Sequence, residues 1–363
     1  MLPLFAFALL STGQQGEETL FKRIIVDGPL GKQTIQVVTP VERADPPRYS
    51  AKKFGEPPMP WEFDWTVGGY TKSRDGSQGL RFELWSQEST KGSKRPEAVV
   101  RLLMQLFGYN FSRMRYDHAN DFGQIVSVFL CYGGEPGGEQ LFEVQHLPEE
   151  DRKLNSIYLY DLRSFTDPVE AVREVAHEYG HATLPPVGGF TEPEDWANGY
   201  LGEKLYITYL VDGLRKGTLV ADDVMGATAD GLDAWKKKNI DPLVADAAIN
   251  GPRPALLAGK SKASMDAFMG LALWTSQIYK EKVLSRALTM NGVDAKEFPA
   301  SVVTAAEEPS ITSLDIPAAL RGKPVWIPIG KGTLIGAEKL TVKDGWVRIK
   351  PTAPKVVVMG PKR

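Results

Sequence analysis

The pattern in this chain that could do chemistry is five residues long: His177-Glu178-Tyr179-Gly180-His181. On a helix, two residues four apart lie on one face, one turn from each other. At that spacing both imidazoles can turn a ring nitrogen toward one metal ion. The carboxylate of Glu178 then stands beside them, placed to take a proton from water. The whole chain holds only four histidines (His118, His146, His177 and His181), so two of them at this spacing is a pointed use of a scarce residue.

The flanking residues are those of a helix that could hold the pair. Asp167 is a good N-cap, Pro168 fits the first helical position, and Glu170 can close a capping box. Val169, Val172, Ala176, Tyr179 and Ala182 follow helical spacing and predict a buried stripe, with both histidines off it. Pro185-Pro186 and Gly188-Gly189 stop the helix. A catalytic zinc needs a third protein ligand, and no histidine follows His181, so the ligand is expected to be a carboxylate: Glu192, Glu194, Asp195 or Glu203. Thr191-Glu192-Pro193-Glu194 matches a capping box, which gives Glu194 a local task at the start of the next helix. Glu203 instead falls among Tyr200, Tyr206, Ile207 and Leu210, where a carboxylate is costly unless it is paired or binds metal. Glu203 is therefore the favoured third ligand, with Gly199 and Gly202 permitting a close helix approach.

These residues resemble the gluzincin branch of the zincin metallopeptidases, which carry H-E-x-x-H on one helix and a glutamate on the next. Here 21 residues separate His181 from Glu203, and neither the G-A-M-E-N nor the N-E-x-x-S-D signature is present, so the subfamily stays open. The resemblance covers about residues 155–215. It implies one Zn2+ per chain held by His177, His181 and Glu203, with Glu178 as general base, and hydrolysis of a peptide or protein substrate. It also implies an α+β fold: a zincin-like core of mixed sheet, H-E-x-x-H helix and helical lobe, carrying here a small C-terminal β domain. Tyr200, Tyr206, Tyr209 and His146 are candidates for the donor to the oxyanion. The rival reading is a non-catalytic zincin-like module whose β regions bind glycan or protein at a cell surface. An intact Glu178 argues against it, because a scaffold has no need of a base.

The rest of the chain is read around that core. Residues 1–15 form an apolar run ending in small and polar residues, as in a signal peptide, although no Lys or Arg precedes it. With a single cysteine, Cys131 in an apolar strand-like run, no intrachain disulfide can form; together these suggest a secreted, periplasmic or envelope protein, of bacterial type. A net charge of -2 gives no sign of a nucleic-acid partner. Residues 16–165 are expected to be β-rich, with Pro-rich punctuation at 45–60 and an aromatic group at Trp61, Phe63, Trp65 and Tyr70. Residues 156–162, or 124–132, are expected to be the strand along the cleft, and 133–139 a Gly-rich surface loop. Residues 166–292 should be the helical metal-binding part, including one long helix over 264–290 that is too short and polar in its apolar stretch to span a membrane. A linker at 293–323 leads to the β domain at 324–363, where Lys343-Asp344-Gly345 marks a hairpin.

Overall fold

The computed structural model describes residues 20–39, 65–72, 78–86, 95–118, 125–131, 135–141, 155–308, 311–353 and 355–360. The leader-like residues 1–15, the Pro-rich residues 45–60 and His146 lie outside the described residues. The fold is α+β, with a seven-stranded mixed sheet, a helical lobe and two small C-terminal sheets.

Four strands, β1 (Leu20–Gly28), β2 (Gly31–Thr39), β3 (Trp65–Lys72) and β4 (Gln78–Ser86), form an antiparallel meander. Helix α1 (Arg95–Tyr109) then crosses the sheet and buries Leu102, Leu103, Leu106 and Phe107. Its crossover returns the chain as β5 (Val126–Cys131), parallel to β4. Strand β6 (Gly137–Leu141) and strand β7 (Asn155–Tyr160) complete the order β1-β2-β3-β4-β5-β7-β6. Both β5 and β7 are buried at every position, as strands covered on both faces must be.

This topology corrects the expectation for the cleft strand. The segments expected there became β5 and β7, which are interior. The edge belongs to β6, antiparallel to β7, in part of the stretch read as a Gly-rich surface loop. Gln140 donates to Asn155 Oδ1 at 3.0 Å, pinning β6 to its neighbour.

From β7 the chain enters α2 (Pro168–Thr183), the helix that carries the histidines. Asp167 accepts from the Val169 amide at 2.9 Å and Pro168 takes the first helical position, as the sequence predicts. Val169, Val172, Ala176, Tyr179 and Ala182 are all buried. Helix α3 (Asn198–Lys216) packs on α2 and ends at Gly217 in the left-handed region. The lobe continues through α4 (Ala229–Asn239), α5 (Asp241–Asn250), the short α6 (Pro254–Leu257), α7 (Lys262–Tyr279), α8 (Glu281–Asn291) and α9 (Phe298–Ala306).

Two further expectations change here. The helix expected over 264–290 is two helices, broken at Lys280, whose φ is +70°. The first of them begins at Lys262, capped by Ser261, which accepts from the Ser264 amide. The stretch expected to be a linker contains α9, packed against α8. Strands β8 (Ile311–Leu314), β9 (Val325–Pro328), β10 (Thr333–Ile335), β11 (Ala337–Lys343), β12 (Trp346–Pro351) and β13 (Val356–Met359) form sheets ordered β10-β13-β8 and β11-β12-β9. The β11–β12 hairpin turns on Asp344 and Gly345, both at positive φ, as the Asp-Gly pair predicts. Among the described residues, no helix is long and apolar enough to cross a membrane.

Candidate metal centre

His177 and His181 project from the same face of α2, and their Nε2 atoms stand 3.1 Å apart. Glu194 completes a triangle with them. Its Oε2 is 3.3 Å from His177 Nε2 and its Oε1 is 3.3 Å from His181 Nε2. Among the described residues, these three side chains form the group able to hold one metal ion.

The spacing can be tested against a definite ion. Tetrahedral zinc binds nitrogen and oxygen at about 2.0–2.1 Å, which sets its donors about 3.3–3.4 Å apart. The three contacts here lie within a few tenths of an ångström of that value. Four electron-rich atoms at such distances, the two Nε2 and both Glu194 oxygens, need protons or a cation between them. The remaining bond of one imidazole favours the cation. Asn198 Nδ2 donates to the carbonyls of His181, at 3.3 Å, and Leu184, at 3.2 Å. That leaves Asn198 Oδ1 facing His181 Nδ1 at 3.0 Å, so Nδ1 carries the hydrogen and the Nε2 lone pair is free to bind.

Electrostatics runs the same way. Burial opposes the charged form of His177, but its hydrogen bond to Glu194 and the carboxylates of Glu178, Glu194 and Glu203 push its pKa up to about 9. Burial works to raise Glu194, yet its hydrogen bonds to the two histidines hold it down at about 2. The pocket therefore favours positive charge between these groups.

Glycines bring the pieces together. A Cβ on Gly199 would lie 2.2 Å from His181 Nε2 and 2.8 Å from His177 Nε2, so α3 leaves open the space the ring nitrogens face. A Cβ on Gly180 would meet the Asn198 carbonyl at 2.7 Å, and one on Gly202 would meet Gly180 Cα at 2.5 Å. The helices touch backbone to backbone at these positions. Across the site, a Cβ on Gly138 would stand 2.4 Å from Glu178 Cγ, so the edge strand β6 lies directly on Glu178, which is 4% exposed.

Glu203, expected as the third ligand, is not in the cluster that the two histidines form with Glu194. It lines the same cavity and is buried, but Oε1 accepts from Arg173 Nε at 2.7 Å and Oε2 from Lys204 Nζ at 3.4 Å. Its burial is compensated by these two cations. The capping box expected at Thr191 assigns Glu194 to the start of the next helix. In the structure α3 begins at Asn198, and Thr191 instead donates both its amide, at 2.7 Å, and its hydroxyl, at 3.1 Å, to the Lys260 carbonyl. Glu194 is thereby freed on a loop.

Of the candidate oxyanion donors, Tyr200 is at the site. Its ring centroid is 4.6 Å from that of His177, and burial with the nearby Glu194 and Glu203 raises its pKa to about 12, which keeps the phenol protonated. Tyr206 is buried away from it, hydrogen-bonded to Asn110 at 2.8 Å, and Tyr209 packs on Tyr109 and Arg113. Asn198 is the site residue that the sequence reading does not single out; a helix-start Asn followed by Gly199 is its only signal. No protein-family model matches the chain, and no curated protein sequence is similar to it.

Proposed function

We propose that this protein is a zinc-dependent metallopeptidase of zincin type, exported by its leader-like N-terminus, with His177, His181 and Glu194 as the metal ligands. The observation that carries this reading is the cluster of His177, His181 and Glu194, with the two Nε2 atoms 3.1 Å apart and one Glu194 oxygen 3.3 Å from each, next in sequence to a buried glutamate. When bound, zinc supplies Lewis acidity and acidifies a water to near neutrality. Glu178 takes the proton from the attacking water and delivers it to the leaving amine, as base and then as acid. Tyr200 donates its phenolic hydrogen to the oxygen that gains charge. The edge of β6, the last strand of the sheet among the described residues, aligns an extended substrate by main-chain hydrogen bonds, and its Gly137-Gly138 pair lets that backbone pass close to Glu178. Asn198 keeps His181 in its metal-binding tautomer.

The test is metal content and hydrolysis together. Wild type should bind about one zinc per chain and His177→Ala little. Glu178→Gln should keep the metal and lose about 10²–10⁴-fold in peptide hydrolysis. A Glu178→Gln protein that hydrolysed peptides at the wild-type rate would end the mechanism, and a wild type that took up no zinc would end the assignment.

A further inference from the structure

The cavity at the metal centre has a neighbour. The first, about 400 Å³, is lined by Gly138, Arg173, His177, Glu178, Glu194 and Tyr200, among others, and Phe165 closes one side of it. The second, about 490 Å³, begins at the same Phe165 and continues past Thr166, Pro168 and Ala171 to Ala98 and Met225. Both abut α2, the first from Glu170 to Glu178 and the second at its N-terminal turn. Half-buried Phe165 lines both.

We propose that the two cavities are one substrate cleft, that the substrate is an extended polypeptide cut internally, and that the second cavity receives an apolar side chain remote from the scissile bond. The inference rests on the hydrolytic reading above and adds the substrate class. Its length follows from helix geometry. Pro168 to His177 is nine residues, about 13–14 Å along the helix axis at about 1.5 Å per residue. An extended chain covers that in about four residues at about 3.3 Å each. The far cavity therefore takes the side chain about four positions from the cut. Its floor is Ala98, Phe165, Pro168, Ala171 and Met225, which suits a Leu or Phe side chain. Of its charged members, Arg101 pairs with Asp223 at 3.0 Å and Arg95 donates to the Leu162 carbonyl. Glu97 and Asp222 also line it, and their carboxylates disfavour an acidic side chain there. An enzyme that trims single residues has no use for a subsite so far from its metal.

The experiment uses the zinc-loaded full chain and two peptide series, lengthened one residue at a time toward either terminus and ending in Leu or Asp. In one series kcat/KM should rise about tenfold or more on reaching the fourth residue, more for Leu than for Asp. Thr166→Trp and Ala98→Trp, which fill the far cavity from different elements, should each bring the long-to-short ratio close to one. In parallel, fluorescence anisotropy on Glu178→Gln should show the same length and Leu preferences in binding. Length-independent cleavage in both series, with both tryptophan variants silent, would overturn the cleft and leave hydrolysis standing. Binding with these preferences but no cleavage of any peptide by wild type would keep the cleft and overturn hydrolysis.

Discussion

Glu194 and Glu203 both line the cavity at the metal centre, and their surroundings give them different work. Among the described residues Glu194 is held by the two imidazoles, so Glu194→Ala should cut zinc affinity far more than the 10–100-fold typical of losing an outer partner. Glu203→Ala should leave zinc largely in place and act on stability instead. It strands Lys204, whose side chain is 8% exposed, and loosens Arg173. Burial already lowers the Lys204 pKa, and Glu203 opposes that, so without Glu203 the ammonium becomes harder to keep charged. The expected cost is about 3 kcal/mol, the low end for breaking a buried pair, because Arg173 is a third exposed. Chelator competition and denaturant unfolding on both variants check this, and zinc loss in Glu203→Ala with Glu194→Ala unaffected would reverse the assignment. The sequence showed that a carboxylate at 203 must be buried and compensated. It did not show the compensator, because Arg173 lies 30 residues back and meets Glu203 only when α2 and α3 pack. Glu194 was hidden by a rival local reading of Thr191, whose true partner, Lys260, is 69 residues away.

At the scale of elements, α2 was legible because its cap, first-turn proline and stop are all local. The break between α7 and α8 was not, since Lys280 at φ +70° is no residue that advertises a left-handed turn. Strand β6 was hidden because Gly137-Gly138 reads as loop until a strand beside it supplies the ladder. The contact between α2 and α3 makes a sharper claim, because two glycines one turn apart do separate jobs. In Gly199→Ala the atoms nearest the new methyl would be those of the two imidazoles, so zinc affinity should fall by more than about 100-fold while the unfolding midpoint of the metal-free protein barely moves. In Gly202→Ala it meets the backbone at Gly180, which cannot swing aside. That variant should lose about 1–3 kcal/mol or more of stability even without metal. Equal effects of the two substitutions on metal-free stability would show that α3 approaches α2 differently.

The whole molecule hangs together through contacts that a domain-by-domain reading of the sequence does not foresee. The stretch expected to be a linker supplies α9, and buried Trp346 in β12 donates to the Pro299 carbonyl at 3.2 Å. Trp274 and Tyr279 of α7 donate to the carbonyls of Trp326 and Pro328. On the opposite side, His118 ties three elements at once. Its Nε2 donates to the Arg81 carbonyl on β4 at 3.1 Å, its Nδ1 accepts from Tyr179 of α2 at 3.1 Å, and its ring lies 5.0 Å from that of Phe107 on α1. Both nitrogens are satisfied in the neutral ring, and a second proton on Nδ1 would face a donor. Burial accordingly lowers the pKa from 6.5 to about 3. The unfolded chain thus binds a proton on this residue as pH falls below about 6.5, whereas the folded chain does not until about 3. Stability should fall across that window by about 1.4 kcal/mol per pH unit, fully present above it. Between about pH 7 and about pH 4.5 the loss from this one group comes to about 3 kcal/mol, a large share of a typical domain's 5–15 kcal/mol. His118→Gln can still donate to Arg81 but cannot titrate. In urea unfolding of the metal-free protein it should start less stable at neutral pH, yet lose about 3 kcal/mol less than wild type on acidification. An identical acid loss in the two proteins would show that the pH sensitivity lies in groups other than His118.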